Sequence, residues 1–259
     1  MRPGFSEFSY AYALTEALVA EQRYLVQPVF PNQRKEAQLG YDLELQFPGY
    51  PLFLQYKLCN GVTINRAKEL VRYRLPLNLP YLRMNIMPTR RSRQHPLLLE
   101  LDARGEEVFY AAPRFFTSED FTTHYQKQRM IPWSAFIRPS SIGELPDDRK
   151  HHISFDTGAT FGWFLSEPKK LEPILDGGEA VESLDKALDE AIRTERTVSE
   201  RIGAALTNIL AIIEAVKGVE REVDETGEDP RAKAFRLGQL AHRYFDASVL
   251  LVSKRDPGE

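Results

Sequence analysis

The sequence predicts an α/β fold: a mixed sheet flanked by helices over residues 1–160, followed by an α-helical region over residues 161–259. Three observations carry this reading. Stretches of helical and strand periodicity alternate through the first part. In the second part, apolar residues recur at alternating steps of three and four from Val181 to Val223, with Glu195 the one polar member. The chain of 259 residues is 42% hydrophobic with a net charge of -3, which excludes global disorder.

Taken in order, Phe5–Gln22 has helical spacing, with Ser6 or Ser9 as its cap. Tyr24–Phe30 reads as a strand ended by Pro31 and Asn32. Gly40–Phe47 reads as a second strand, Pro48-Gly49-Tyr50-Pro51 as a turn and Leu52–Leu58 as a third, so that a hairpin is expected. A helix around Asn65–Leu75, a strand at Tyr81–Met87, a helix between Ser92 and Arg104 stopped by Gly105, and a strand at Val108–Ala112 follow. Pro96 belongs in the first turn of its helix, because farther in it would break the hydrogen-bond ladder. From about residue 113 the pattern is less regular, with His151–Phe155 as an added strand.

The C-terminal spacing fits one long helix with a coiled-coil-like seam, or two stacked helices broken near Glu195. Its apolar face serves either internal packing or oligomerisation with a second copy or a helical partner. Asp229-Pro230 caps a final amphipathic helix expected over Arg231–Val252.

Composition narrows function. No apolar stretch reaches the ~18–20 residues of a membrane span, and the N-terminus lacks a secretory core. The single cysteine, Cys59, excludes an internal disulfide framework and a cysteine-based zinc site. A cytoplasmic protein is expected. Charge is uneven: residues 61–100 hold 8 basic and 2 acidic side chains, either a solvated surface or a contact for a polyanion. Arg66, Lys68, Arg72 and Arg74 lie on the helix expected there, and Arg90, Arg91 and Arg93 precede the next one. Phosphate contacts of this kind give affinity without sequence readout.

Asp42, Gln55 and Lys57 make the pattern D-x(12)-Q-x-K across the expected hairpin. Residues 55 and 57 leave a strand on one face, Tyr56 on the other. A carboxylate, a carboxamide oxygen and an ammonium in one place suit phosphodiester hydrolysis, which needs a metal ion, an activated water and a positive group. Polar groups in an otherwise apolar strand call for such a reason.

The residues G-Y-D-L around Asp42, the strand F-L-Q-Y-K and the order of elements over residues 5–112 resemble the PD-(D/E)xK nuclease superfamily, whose core is restriction-endonuclease-like. Gln55 stands where an acid is usual, which looks like the Mrr-type endonucleases. The resemblance implies Mg²⁺, with Mn²⁺ as a substitute, held by Asp42, Glu16 and Gln55, with Lys57 assisting the attack of water on DNA. Glu7 is the reserve for Glu16, and Glu44 a further carboxylate. It also implies a restriction or phage-defence setting. The alternative is a catalytically weak subunit that binds nucleic acid or assembles through its helical C-terminus.

Elsewhere, His151 and His152 face opposite ways in a strand, His95 either starts a helix or meets a phosphate, Tyr73 and Tyr81 are core or stacking aromatics, Cys59 is an inert core thiol, and Gly177-Gly178 reads as a loop.

Overall fold

The computed structural model describes residues 1–21, 25–29, 46–165, 168–217 and 229–253. Among these it is mixed α/β, with ten strands in two sheets and eight α-helices. In chain order they are α1 (Glu7–Val19), β1 (Leu25–Val29), β2 (Gly49–Tyr56), β3 (Cys59–Val62), α2 (Lys68–Val71), β4 (Tyr81–Ile86), α3 (Gln94–Ala103), β5 (Glu107–Pro113), α4 (Ser118–Gln126), β6 (Ser134–Ile137), α5 (Pro139–Ile142), β7 (His151–Phe155), β8 (Gly162–Leu165), β9 (Lys169–Leu171), α6 (Gly177–Arg193), α7 (Val198–Lys217), α8 (Pro230–Leu240) and β10 (Ser248–Ser253). No helix among the described residues is long and apolar enough to cross a membrane.

The chain divides into two compact units. One comprises Met1–Ala17, Tyr56–His95 and Tyr110–Val181; the other comprises Leu18–Gln55, Pro96–Phe109 and Glu182–Glu259. In the first, β3, β4, β7, β8 and β9 form an antiparallel sheet in that spatial order. One face holds Cys59, Leu82, Met84, Ile153, Phe155 and Phe164, all buried. The other carries the cross-strand row Asn60–Arg83–Ser154–Trp163. Arg114 is buried beside this sheet and donates to the carbonyls of Ser134, Thr157, Ala159 and Leu175, tying the start of β6 to the loops that follow β7 and β9. Helix α1 starts at Ser6, whose hydroxyl accepts from the Ser9 N–H, and buries Tyr10, Ala13 and Leu14.

In the second unit, β10 lies between β1 and β2, antiparallel to both. Two expectations change here, and one open alternative is decided. Gly49–Pro51 is strand, not turn: Gly49, Tyr50 and Pro51 pair with Ser253, Val252 and Leu251. The glycine is there because a Cβ would collide with the Val252 carbonyl and the Val198 side chain. Phe47 O and Gly49 N–H are bonded to Val198 and Arg196, so the chain enters β2 extended. The final helix stops at Leu240, passes through a π-helical turn at Ala241–Phe245 and becomes β10, whose SVLLVS run suits a central strand better than a helix face. The long seam is two helices, broken at Glu195, which adopts φ 51°. Its positions Leu184, Leu188, Ile202, Ile209 and Ile212 are buried within the single chain. Residues 40–45 of the expected hairpin lie outside the described residues.

Other local signals match. Pro96 sits in the first turn of α3, Gly105 ends it with φ 85°, and Asp229 caps α8 with Pro230 at its first position. The helix expected over Asn65–Leu75 shortens to α2, because Arg74 takes a left-handed conformation (φ 50°) and Pro76 follows. Gly177 opens α6 rather than lying in a loop, behind a capping box in which Asp176 and Glu179 each accept the other's N–H.

Candidate functional site

Strand β2 ends at Tyr56, so Lys57 is the first residue beyond it. Its backbone N–H donates to Ala111 O on β5, and its ammonium donates to Oε1 of Gln94 at 3.0 Å. Gln94 is buried at the first turn of α3, so the ammonium is held against a fixed element. Tyr56, alternating to the other side, meets Thr15 of α1 through its hydroxyl at 2.7 Å; burial pushes that hydroxyl's pKa up to about 12.

In the other unit, Gln55 is 1% exposed, and its amide nitrogen donates to Oδ2 of Asp246 at 3.4 Å. Asp246 is exposed, follows the π-helical turn directly and has φ 50°. A carboxylate at a helix C-terminus opposes the macrodipole, and π-turns and left-handed non-glycine residues gather at functional sites. Asp246 is the carboxylate that the sequence pattern did not single out.

The metal set of the expected nuclease is placed only in part. Asp42 and Glu44 lie outside the described residues. Glu16 is exposed on α1, and its carboxylate opposes ionisation of the Tyr125 hydroxyl, first through a hydrogen bond and less through its charge. Glu7 is exposed at the start of the same helix. Gln55 and Asp246 together offer one amide oxygen and one carboxylate, donors that Mg²⁺ accepts alongside water. Among the described residues no group of three or more His, Cys, Asp or Glu could hold a metal ion.

The basic segment is laid out around α2. Arg66 precedes the helix, Lys68 begins it, and Arg72 and Arg74 follow; all four are exposed, as are Arg90, Arg91 and Arg93 before α3. The Arg72 guanidinium lies 5.5 Å from the Tyr73 ring centroid. Glu69, also on α2, is the only acidic residue between Glu44 and Glu100, and it is turned inward at 1% exposure. Its Oε1 accepts from Arg83 Nε (2.9 Å) and Nη2 (2.6 Å), from His152 Nε2 (3.0 Å) and from Ser154 Oγ (3.2 Å). Burial alone would raise its pKa, but the His152 bond, its own backbone N–H and Arg83 outweigh that and hold it far below the usual carboxylate range. A carboxylate accepting at this oxygen makes Nε2 the protonated nitrogen of His152. Glu69 Oε2 and the nearby Tyr81 hydroxyl are buried without a well-formed hydrogen bond. Burial and the Glu69 charge push the Tyr81 hydroxyl up to about 12. The signal for this node was the isolation of Glu69 in a long basic stretch.

Three other residues resolve into structure. His95 is buried, with Nδ1 at 2.8 Å from the Tyr110 hydroxyl and Nε2 at 2.8 Å from Gly143 O; burial lowers its pKa and favours the neutral ring. His151 is buried against Phe164, on the sheet face opposite to His152. Cys59 is buried, which pushes its thiol far up and makes it unreactive.

No family model, no curated protein and no solved structure matches this chain.

Proposed function

We propose that the protein binds nucleic acid, with DNA as its target, through the exposed cations around α2 and before α3. The observation that carries this is the one-sided charge of residues 61–100: the cations Arg66, Lys68, Arg72, Arg74, Arg90, Arg91 and Arg93 face solvent while the single acid among them on α2, Glu69, is buried. Such a surface attracts a polyanion by releasing its counterions, so affinity falls steeply with salt. The test is fluorescence anisotropy with a labelled oligonucleotide at a series of salt concentrations. Replacing Arg66, Lys68, Arg72 and Arg74 by Gln should flatten the slope of log K against log salt by up to about 0.9 for each duplex phosphate that is no longer neutralised. An unchanged slope refutes the reading.

A second reading is favoured by Lys57 and Gln55. The Q-x-K strand end, with Lys57 bonded to Gln94 and Gln55 joined to Asp246, supports Mg²⁺-dependent hydrolysis of phosphodiester bonds of the PD-(D/E)xK kind. Asp42, Glu16 and Gln55 are the metal ligands that the resemblance implies, and Asp246 adds a carboxylate at Gln55. Bound there, Mg²⁺ would polarise the phosphate and activate water. Lys57 would stabilise the charge that develops on phosphate oxygen. Nicking of supercoiled plasmid in Mg²⁺ or Mn²⁺ should vanish with chelator and in Lys57→Ala; nicking that survives Lys57→Ala discards this assignment.

A further inference from the structure

We propose that the segment from Ile64 to Arg74 takes single-stranded in preference to duplex nucleic acid, its cations contacting phosphates and Ile64 and Val71 contacting unstacked bases. The proposal rests on the nucleic-acid reading above and names the form of the partner.

Ile64 and Val71 are 61% and 64% exposed, unusually open for aliphatic side chains of their size. They stand among the exposed Arg66, Lys68 and Arg72. The backbone between them is held by a long bond from Ala67 N–H to Ile64 O (3.4 Å) and by a bond from Val71 N–H to Ala67 O at 3.0 Å. From beneath, Glu69 fastens the segment to β4 and β7 through Arg83, His152 and Ser154. Binding therefore requires little further ordering of this backbone. With the one acid turned away, the outer side presents cations and apolar groups, with the uncharged Asn65 among them.

A partner must match both. An intact duplex offers phosphates on its outside and stacks its base faces within, so two aliphatic side chains gain little against it. A single strand offers phosphates and apolar base faces together, which is what sequence-tolerant single-strand surfaces use. An anionic membrane also pairs charge with apolar depth, but surface-lying segments achieve this with an extended amphipathic helix, and α2 has 4 residues.

Full-length protein would be titrated into labelled single-stranded and duplex oligonucleotides of equal length, and sedimented with vesicles of phosphatidylserine and phosphatidylcholine. Single strand should bind at least about tenfold more tightly. Ile64→Ser with Val71→Ser, both at exposed positions, should weaken single-strand binding about tenfold at every salt concentration with the salt slope unchanged, leaving duplex binding as it was. Equal affinity for the two forms overturns the proposal while the nucleic-acid reading stands, and so does a double variant that binds like the parent. Binding to vesicles without binding to either oligonucleotide overturns both.

Discussion

Lys57 and Glu69 are both charged side chains set among apolar neighbours, yet they are held in opposite ways. Lys57 donates to an uncharged acceptor, Gln94 Oε1. Glu69 is sealed under α2, with four donated bonds converging on one oxygen. A carboxylate so fully engaged is an anchor.

The comparison breaks first, and hardest, at Glu69. Glu69→Ala leaves Arg83 and His152 facing a void and frees the basic segment from the sheet. Removing one partner of a buried pair costs about 3–5 kcal/mol, and the half-exposure of Arg83 places the loss near the lower end. Urea denaturation should show it, together with weaker nucleic-acid binding, since the segment loses its fixed form. A loss below about 1 kcal/mol would mean that Glu69 is not an anchor.

The pH dependence follows from the direction of the Glu69 shift. Its pKa is lower in the folded than in the unfolded chain, so the stabilisation is complete above the ordinary Glu value of about 4.3 and declines as pH falls below it. The parent protein should lose stability between about pH 4.5 and pH 2.5 more steeply than Glu69→Gln, which has no carboxylate to protonate. Parallel curves for the two would show that the shift is absent.

How much of this is legible in the sequence depends on the range of the interaction. Where a few neighbouring residues decide, the sequence is explicit: Ser6 caps α1, Pro96 and Gly105 bracket α3, Asp229-Pro230 opens α8, and Glu195 marks the break between α6 and α7. Where distant segments decide, local rules mislead. Gly49 and Pro51 resemble a turn, yet close packing on β10 requires the glycine. Ser248–Ser253 continues a helical pattern until β1 and β2 claim it from either side. The candidate site divides in the same way. Gln55 and Lys57 stand out as polar residues in an apolar strand, but Asp246 and Gln94 reach them across 191 and 37 residues, beyond any spacing rule.

The smallest stability effect is expected at Lys57, and it sharpens the comparison from the other side. Gln94→Leu removes an acceptor from the ammonium and should cost about 1 kcal/mol, the net worth of an ordinary hydrogen bond. Lys57→Met removes the charge but keeps the aliphatic stem, and Gln94 lies beside a group that water can reach. Its urea midpoint should therefore stay within about 1 kcal/mol of the parent. Nicking activity in Mg²⁺ should nevertheless fall by at least about a hundredfold, as expected when a preorganised charge stabiliser is removed. A variant crippled in folding rather than in nicking would make Lys57 an anchor like Glu69. One impaired in neither would make it a surface lysine whose bond to Gln94 has no further use.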